Sequence, residues 1–280
     1  MRSPANTSAV VNALSFDVED YFQVSNFESL VGFDNWSKFH SRVERNTERI
    51  LEILAEHEIS ATFFVLGWEA ERCPALVRRI AAAGHELATH GYRHRRIFDL
   101  QREQFREDLR KSIDLIEQAG GQKVLGHRAP SFSVTERSLW ALDVMQQAGL
   151  AYDSSIFPVR HPSYGIRGAP RQPYEIRPGF WEFPIATVRL GRMNLPVAGG
   201  GYFRLYPYPL TRWALRRINA EQHSAIVYLH PWEIDPDQPR MTASWQARFR
   251  HYNNLKRTAL RLRRMCGEFR FTTARQVLGL

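Results

Sequence analysis

The residues able to do chemistry in this chain sit where apolar runs end. In Asn12-Ala-Leu-Ser-Phe-Asp17-Val-Glu19-Asp20-Tyr-Phe22, three carboxylates fall within four positions. They follow Val10 to Phe16, a run with little charge that reads as a buried strand. Neighbouring carboxylates repel one another and are costly to desolvate, so such a group is either fully solvated or held by a cation. The bulky flanks Phe16, Tyr21 and Phe22 argue against a simply solvated acidic loop. A second group, His90-Gly-Tyr-Arg-His94, sets two imidazoles at i and i+4 after the short run His85 to His90. One turn after a strand brings such rings together. Two histidines and a carboxylate then form an open coordination set that leaves room on a metal for water and substrate.

Two further strand ends carry unusual residues. In His127-Arg128-Ala-Pro-Ser131-Phe132, Arg128 can hold a neighbouring carboxylate through paired hydrogen bonds or bind an anionic substrate group. In Leu229-His230-Pro-Trp232-Glu233, a histidine closes an apolar strand. It could protonate a leaving group near neutral pH with help from a nearby acid such as Asp153 or Glu233.

The elements that must position these groups alternate. An amphipathic helix is expected from about Ser37 to His57, a strand over Ala61 to Leu66 and a helix from Pro74 to Ala83. A strand follows at His85 to His90, a helix at 101–119, a strand at Lys123 to Arg128, a helix at Thr135 to Ala148 and a strand at Leu150 to Ser154. Later strands are expected at Trp181 to Val188 and Ser224 to His230. Seven or eight strand–helix units without a linker imply a parallel sheet closing into a distorted (β/α)7-8 barrel of the α/β class, in a single domain over residues 1–280 with a helical C-terminal extension from about 240 to 280. The Pro/Gly-rich stretches Pro158 to Pro178 and Gly191 to Pro209 read as long loops. Their tyrosines, with Phe180, Trp181 and Phe203, could stack on sugar rings or simply pack the loops onto the barrel.

Composition narrows the classes. A profile of 44% hydrophobic and 24% charged residues over 280 positions is that of an ordinary globular core. Met1 to Thr7 is short and polar with no long apolar run behind it. No signal peptide or transmembrane helix is therefore expected, which favours the cytoplasm, including the inner face of the membrane. Two distant cysteines make no disulfide framework, in keeping with a reducing compartment. The net charge of +9 resides largely in Arg212, Arg216 and Arg217 on one expected helix and in the Arg/Lys-rich stretch 248–264 on another. Aromatics are not interleaved with these cations as a base-stacking platform needs, so solvated helix faces are expected rather than a nucleic-acid site. A membrane-surface contact through the basic C-terminal helix is compatible with the charge.

Taken together, Phe16-Asp17 with its acids, His90-Gly-Tyr-Arg-His94, Arg128-Ala-Pro-Ser-Phe132 and Leu229-His230-Pro resemble, in this order, the motifs of the NodB-homology polysaccharide deacetylases, carbohydrate esterase family 4. The wording Asp17-Val-Glu-Asp-Tyr-Phe22, Tyr152-Asp-Ser-Ser155 and His230-Pro-Trp-Glu233 is similar to a branch found in bacterial exopolysaccharide gene clusters, including those linked to exosortase-type sorting. The resemblance implies a metal-dependent enzyme, typically with one zinc ion, that removes N-acetyl groups from a glycan. It makes Asp17 the general base, His90 and His94 metal ligands, Arg128 the group that orients Asp17, and His230 the general acid. Leu229 is expected to line the acetyl-methyl pocket, with Pro130, Trp232 and Trp181 as further substrate contacts. The family pattern has adjacent aspartates, whereas Val18 intervenes here, so either Glu19 or Asp20 is the third ligand. Period-two geometry puts Glu19 on the Asp17 face, and a break at Val18 would bring Asp20 there instead. An allantoinase-like small-amide hydrolase on the same scaffold and a non-catalytic glycan-binding protein are the rival readings.

Overall fold

The chain is described by a computed structural model over residues 10–161 and 164–280. The Met1 to Thr7 segment read above lies outside the described residues. Strand β1 (Asn12–Val18) is an inner strand of a curled sheet, and all seven of its residues are buried. An uncharged run such as Ala13-Leu-Ser-Phe16 suits a strand covered on both faces, because only its two faces need apolar cover while the backbone is satisfied by neighbouring strands. Its partners β2 (Thr62–Val65) and β10 (Ile226–Leu229) are parallel to it and equally buried. Beyond β2 come β3 (Glu86–Thr89), β4 (Gly126–His127) and β5 (Tyr152–Asp153), all parallel.

Helices α1 (Val43–Glu56), α2 (Gly67–Arg72), α3 (Pro74–Ala82), α4 (Arg102–Gly120) and α5 (Trp140–Gln147) make the crossovers. Helix α1 shows why the pattern was readable: Val43, Ile50, Ile53 and Leu54 recur at helical spacing and are buried. Pro74 opens α3, where its missing N–H costs nothing.

The expected α/β architecture is present, but the sheet curls without closing. Strand β7 (Phe180–Glu182) pairs with β5, and β6 (Tyr174–Arg177) folds back antiparallel on β7, so β6 and β10 are the two edges. The expected strand from Trp181 to Val188 is interrupted at Phe183-Pro184. Proline has no N–H for the ladder, and beyond it β8 (Thr187–Leu190) joins β9 (Met193–Pro196) in a separate hairpin. The stretch Gly191 to Pro209 is therefore not one loop: it contains β9 and helix α6 (Gly200–Leu205). Its glycines disguise the helix start while enabling it, since Gly199 and Gly200 have φ of 127° and 51°. The same turn partly covers the open side of the sheet. Tyr228 N–H donates to the Ala198 carbonyl at 3.0 Å, and a Cβ on Gly199 would lie 1.8 Å from the Tyr228 carbonyl oxygen. Helix α7 (Tyr208–Ala220) leads into β10. After β10 come α8 (Trp245–Tyr252), α9 (Leu255–Glu268), β11 (Phe271–Thr272) and α10 (Ala274–Leu278), with β11 returning to pair with the start of β1.

Candidate active site

Strand register assembles the site. Val18, Val65, Thr89 and His127 stand in one row across β1, β2, β3 and β4. The residues one step beyond that row, Glu19, His90 and Arg128, therefore emerge side by side at the carboxyl edge. On the other flank Phe16 is aligned with Leu229, which brings Asp17 level with His230.

Glu19, His90 and His94 each offer one ligand atom, and these atoms lie within 4.8 Å of one another. The His90 Nδ1 is 2.8 Å from the Arg128 carbonyl oxygen. A carbonyl only accepts, so Nδ1 carries the proton and the Nε2 lone pair is left for a cation. Burial pushes the His90 pKa down to about 4, more strongly than Asp17 and Glu19 raise it, which keeps the ring neutral as a ligand must be. Burial alone would raise the pKa of Glu19, but His94 and His230 beside it hold the carboxyl well below its usual range. Its Oε2 stands 2.8 Å from His94 Nε2 yet makes no hydrogen bond, a buried acceptor aimed at the same point as two imidazoles. Such an orphaned oxygen with two nitrogen donors fits a divalent cation of the borderline type.

The Asp20 expectation is corrected here. The chain turns at Val18, closed by Glu19 N–H donating to the Asp17 carbonyl at 3.0 Å, and Glu19 stays on the Asp17 side. Asp20 instead accepts from Arg42 N–H at 2.6 Å, Val43 N–H at 3.2 Å and the Ser41 hydroxyl at 2.8 Å. Its carboxylate is occupied in satisfying the first amides of α1, where four N–H groups have no helical partner.

Asp17 is gripped from behind. Arg128, fully buried, donates from Nη1 to Asp17 Oδ1 at 2.6 Å and to Ser15 Oγ at 2.9 Å. Its Nε reaches the Ser154 carbonyl at 3.1 Å, its Nη2 reaches Ser154 Oγ at 3.0 Å, and its guanidinium lies 4.0 Å over the Phe64 ring. Asp153, weighed above as a helper of His230, serves this side instead. It is 2.8 Å from His127 Nδ1 and accepts from Ser155 Oγ, which in turn accepts from Ala129 N–H.

His230 faces Asp17 and Glu19 across the cavity, with Nε2 at 3.8 Å from Asp17 Oδ2 and 3.5 Å from Glu19 Oε1. Its Nδ1 is 3.1 Å from Glu233 Oε2. Burial opposes a charge on this ring, but Glu19, Glu233 and Asp17 outweigh it and raise the pKa to about 9. Trp232 stacks on His230 and on His251, with ring centroids at 5.2 and 4.1 Å. Its indole N–H donates to Glu19 Oε1 at 3.2 Å.

These groups floor a cavity of about 410 Å³. Ala129, Ser131, Phe132, Tyr164, Tyr202 and Tyr228 form much of its wall. Trp232 lines it, whereas Leu229, Pro130 and Trp181 do not. Period two explains Leu229: Tyr228 and His230 face the cavity, so Leu229 turns into the core, where it is fully buried. Pro130 is buried at the start of a short 3-10 turn whose neighbours, not itself, reach the wall. Trp181 of β7, in register with Tyr152 of β5, packs half-buried against the main core. The reading above missed Arg204, whose Nε donates to Glu233 Oε1 at 2.6 Å, because a lone arginine in Gly-Tyr-Phe-Arg-Leu gives no pattern. Tyr228 was within reach as the residue two before His230 on the same strand.

Residues 28–152 match a family model described as Polysaccharide deacetylase, and residues 154–279 match one described as a domain of unknown function, DUF3473. The peptidoglycan-N-acetylglucosamine deacetylase of Bacillus cereus is 28% identical over 120 residues, 39% of this chain and 44% of that protein. The chitooligosaccharide deacetylase of Sinorhizobium fredii is 35% identical over 109 residues, 38% of this chain and 48% of that protein. The chain thus spans less than half the length of these relatives. A solved structure from Mycobacterium smegmatis, a putative polysaccharide deacetylase by its title, matches the fold over 100% of this chain and 92% of its own, with a TM-score of 0.63 at 20% identity. His90, His94 and Arg128 lie in the first matched stretch and Arg204, His230 and Glu233 in the second, while Asp17 and Glu19 precede both.

Proposed function

From a chain that joins a polysaccharide deacetylase domain to DUF3473, we infer a metal-dependent hydrolase that removes N-acetyl groups from an N-acetylated glycan. The named relatives are deacetylases, which points to a hydrolase of amide bonds. The observation that carries the reading is the grouping of Glu19, His90 and His94 between Asp17 on one side and His230 on the other, at the floor of one cavity.

In this reading Glu19, His90 and His94 hold one divalent cation, with zinc proposed from the two-imidazole, one-carboxylate set. Such an ion, when bound, supplies Lewis-acid polarisation of the acetamide carbonyl and acidifies water. Asp17 takes the proton of the attacking water through Oδ2, the oxygen that Arg128 leaves free. Arg128 fixes the plane of that carboxylate. His230, cationic at neutral pH, gives a proton from Nε2 to the departing amine, and Glu233 on Nδ1 keeps the ring aimed. Each proton transfer contributes a factor of roughly 10²–10⁴.

The two matched stretches act as one domain. Their junction falls in β5, which is paired on both sides, and β10 from the second stretch pairs with β1. DUF3473 accordingly provides the proton-donor half of the site. A place in exopolysaccharide synthesis is the finer part of the proposal and rests on the motif wording alone. Acetate release from N-acetylglucosamine oligomers, abolished by a chelator and restored by zinc, tests the reading. Turnover of small ureides only, or full activity after metal stripping, would overturn it.

A further inference from the structure

The stretch from Gln238 to Gly267 contains eight Lys or Arg and no Asp or Glu. Three of the five cations of α9 are engaged: Arg263 pairs with Glu56, Arg264 with Glu268, and Arg261 donates to three backbone carbonyls. Among the described residues Arg248 and Arg250, on α8, have no carboxylate partner within ion-pair distance. The same short helix exposes Trp245 at 73% and Phe249 at 55%, and their i, i+4 spacing puts both rings on one face. Leu205, 48% exposed, joins Phe249 and Arg250 at the mouth of the cavity.

This face is held, not loose. The Ser244 hydroxyl accepts from Ala247 N–H at the start of α8, and His251 at its other end is fully buried against Trp232. Rings as large as indole rarely stand mostly in water on a rigid helix without a partner. Two aromatics flanked by unpaired arginines match the interfacial zone of a bilayer, where rings sit at headgroup depth and cations meet lipid phosphates. Projecting rings need no shaped recess in such a partner, and the local excess of positive charge selects an anionic one.

We infer that α8 docks this protein on an anionic lipid surface, with Trp245 and Phe249 entering the interface and Arg248 and Arg250 on the headgroups. No helix of the described residues is long and apolar enough to cross a membrane. Because Leu205, Phe249 and Arg250 also border the cavity, docking turns its opening toward the lipid. Taken with the proposed deacetylation, this selects glycans held at the membrane.

Vesicle co-sedimentation tests the surface without substrate or metal, so its failure leaves the deacetylase reading standing. The full chain is expected to bind phosphatidylglycerol-containing vesicles and not phosphatidylcholine vesicles, with binding weakened by salt. W245A/F249A, a change at exposed positions, is expected to weaken binding by about tenfold or more, and brominated lipids should quench the fluorescence of the wild type but less that of W245F. Absence of binding to the anionic vesicles, or equal binding by W245A/F249A, overturns the inference. So does a wild-type dimer in solution that becomes monomeric in W245A/F249A, which would give the face to a second copy.

Discussion

The Arg204 Nε lies 2.6 Å from Glu233 Oε1, with side chains 3% and 0% exposed. The other oxygen of Glu233 receives the His230 backbone N–H at 3.0 Å and faces its Nδ1. Arg204 Nη1 also reaches the carbonyls of His251 and Asn253, so one guanidinium from α6 joins the proposed proton donor to the C-terminal end of α8. Arg204 draws the Glu233 pKa down to about 2, against the effect of burial, with His230 adding to the pull. Replacing Arg204 by Gln is expected to lower kcat by roughly 10²-fold, with metal affinity kept and partial rescue by Lys. The double variant with Glu233→Gln should lose little more than either single one, since both act through the His230 ring. Steady-state kinetics with metal titration by calorimetry reads this; fully additive losses would sink it.

The identity of the third ligand can be separated from helix capping. Glu19→Gln should abolish tight divalent-metal binding and also cost the metal-free protein some stability, because the fold holds this carboxylate ionised beside His94 and His230. Asp20→Asn should keep the metal but lower stability by about 1–3 kcal/mol, as the amides of Arg42 and Val43 lose a charged acceptor. Metal content by plasma emission and melting by calorimetry give the two readouts. Loss of metal in Asp20→Asn with retention in Glu19→Gln would reverse the assignment.

The sequence made the strand ends legible because carboxylates and imidazoles beside apolar runs are conspicuous, but it left Glu19 and Asp20 equally open as the third ligand, since that depends on how the chain turns at Val18. Residues whose importance depends on which way they point were harder. Leu229 and Tyr228 are neighbours in an apolar strand, and only the face of β10 that meets the cavity tells them apart. Arg204 was invisible because nothing local marks an arginine whose partners lie 29 and 47 positions away. The distorted α/β barrel was legible from the count of strand–helix units, whereas where the curled sheet stops was not, because that is set by Pro184 and the β6 turn-back.

Glu69 on α2 makes stability depend on pH. It is 1% exposed, accepts from Gln23 Nε2 at 2.7 Å through one oxygen, and leaves the other without a partner. Burial, with the nearby Asp20 carboxylate, raises its pKa to about 8. The folded chain thus keeps a proton that the unfolded chain releases near the ordinary glutamate value. Stability from this group is fully present below that value and falls as pH rises through about 8, at up to about 1.4 kcal/mol per pH unit. Glu69→Gln should therefore gain on the wild type as pH is raised from 5 to 9. Equal melting-temperature differences at both ends of that range would refute the shift.

Arg128→Lys isolates the grip on Asp17 from charge. The guanidinium serves Ser15, Asp17 and both oxygens of Ser154 at once while lying flat over Phe64. An ammonium keeps the positive charge but cannot reproduce that planar fork or the stacking. If the charge alone mattered, lysine would suffice. Because the proposed proton transfer needs Asp17 Oδ2 aimed at the cavity, kcat should instead fall by about 10²-fold while KM changes little, since the fully buried Arg128 does not line the cavity. The His90 ring bonds the backbone carbonyl of residue 128 rather than its side chain, so metal affinity should persist. A variant that loses metal and turnover together would show that Arg128 supports the cation site and not the base.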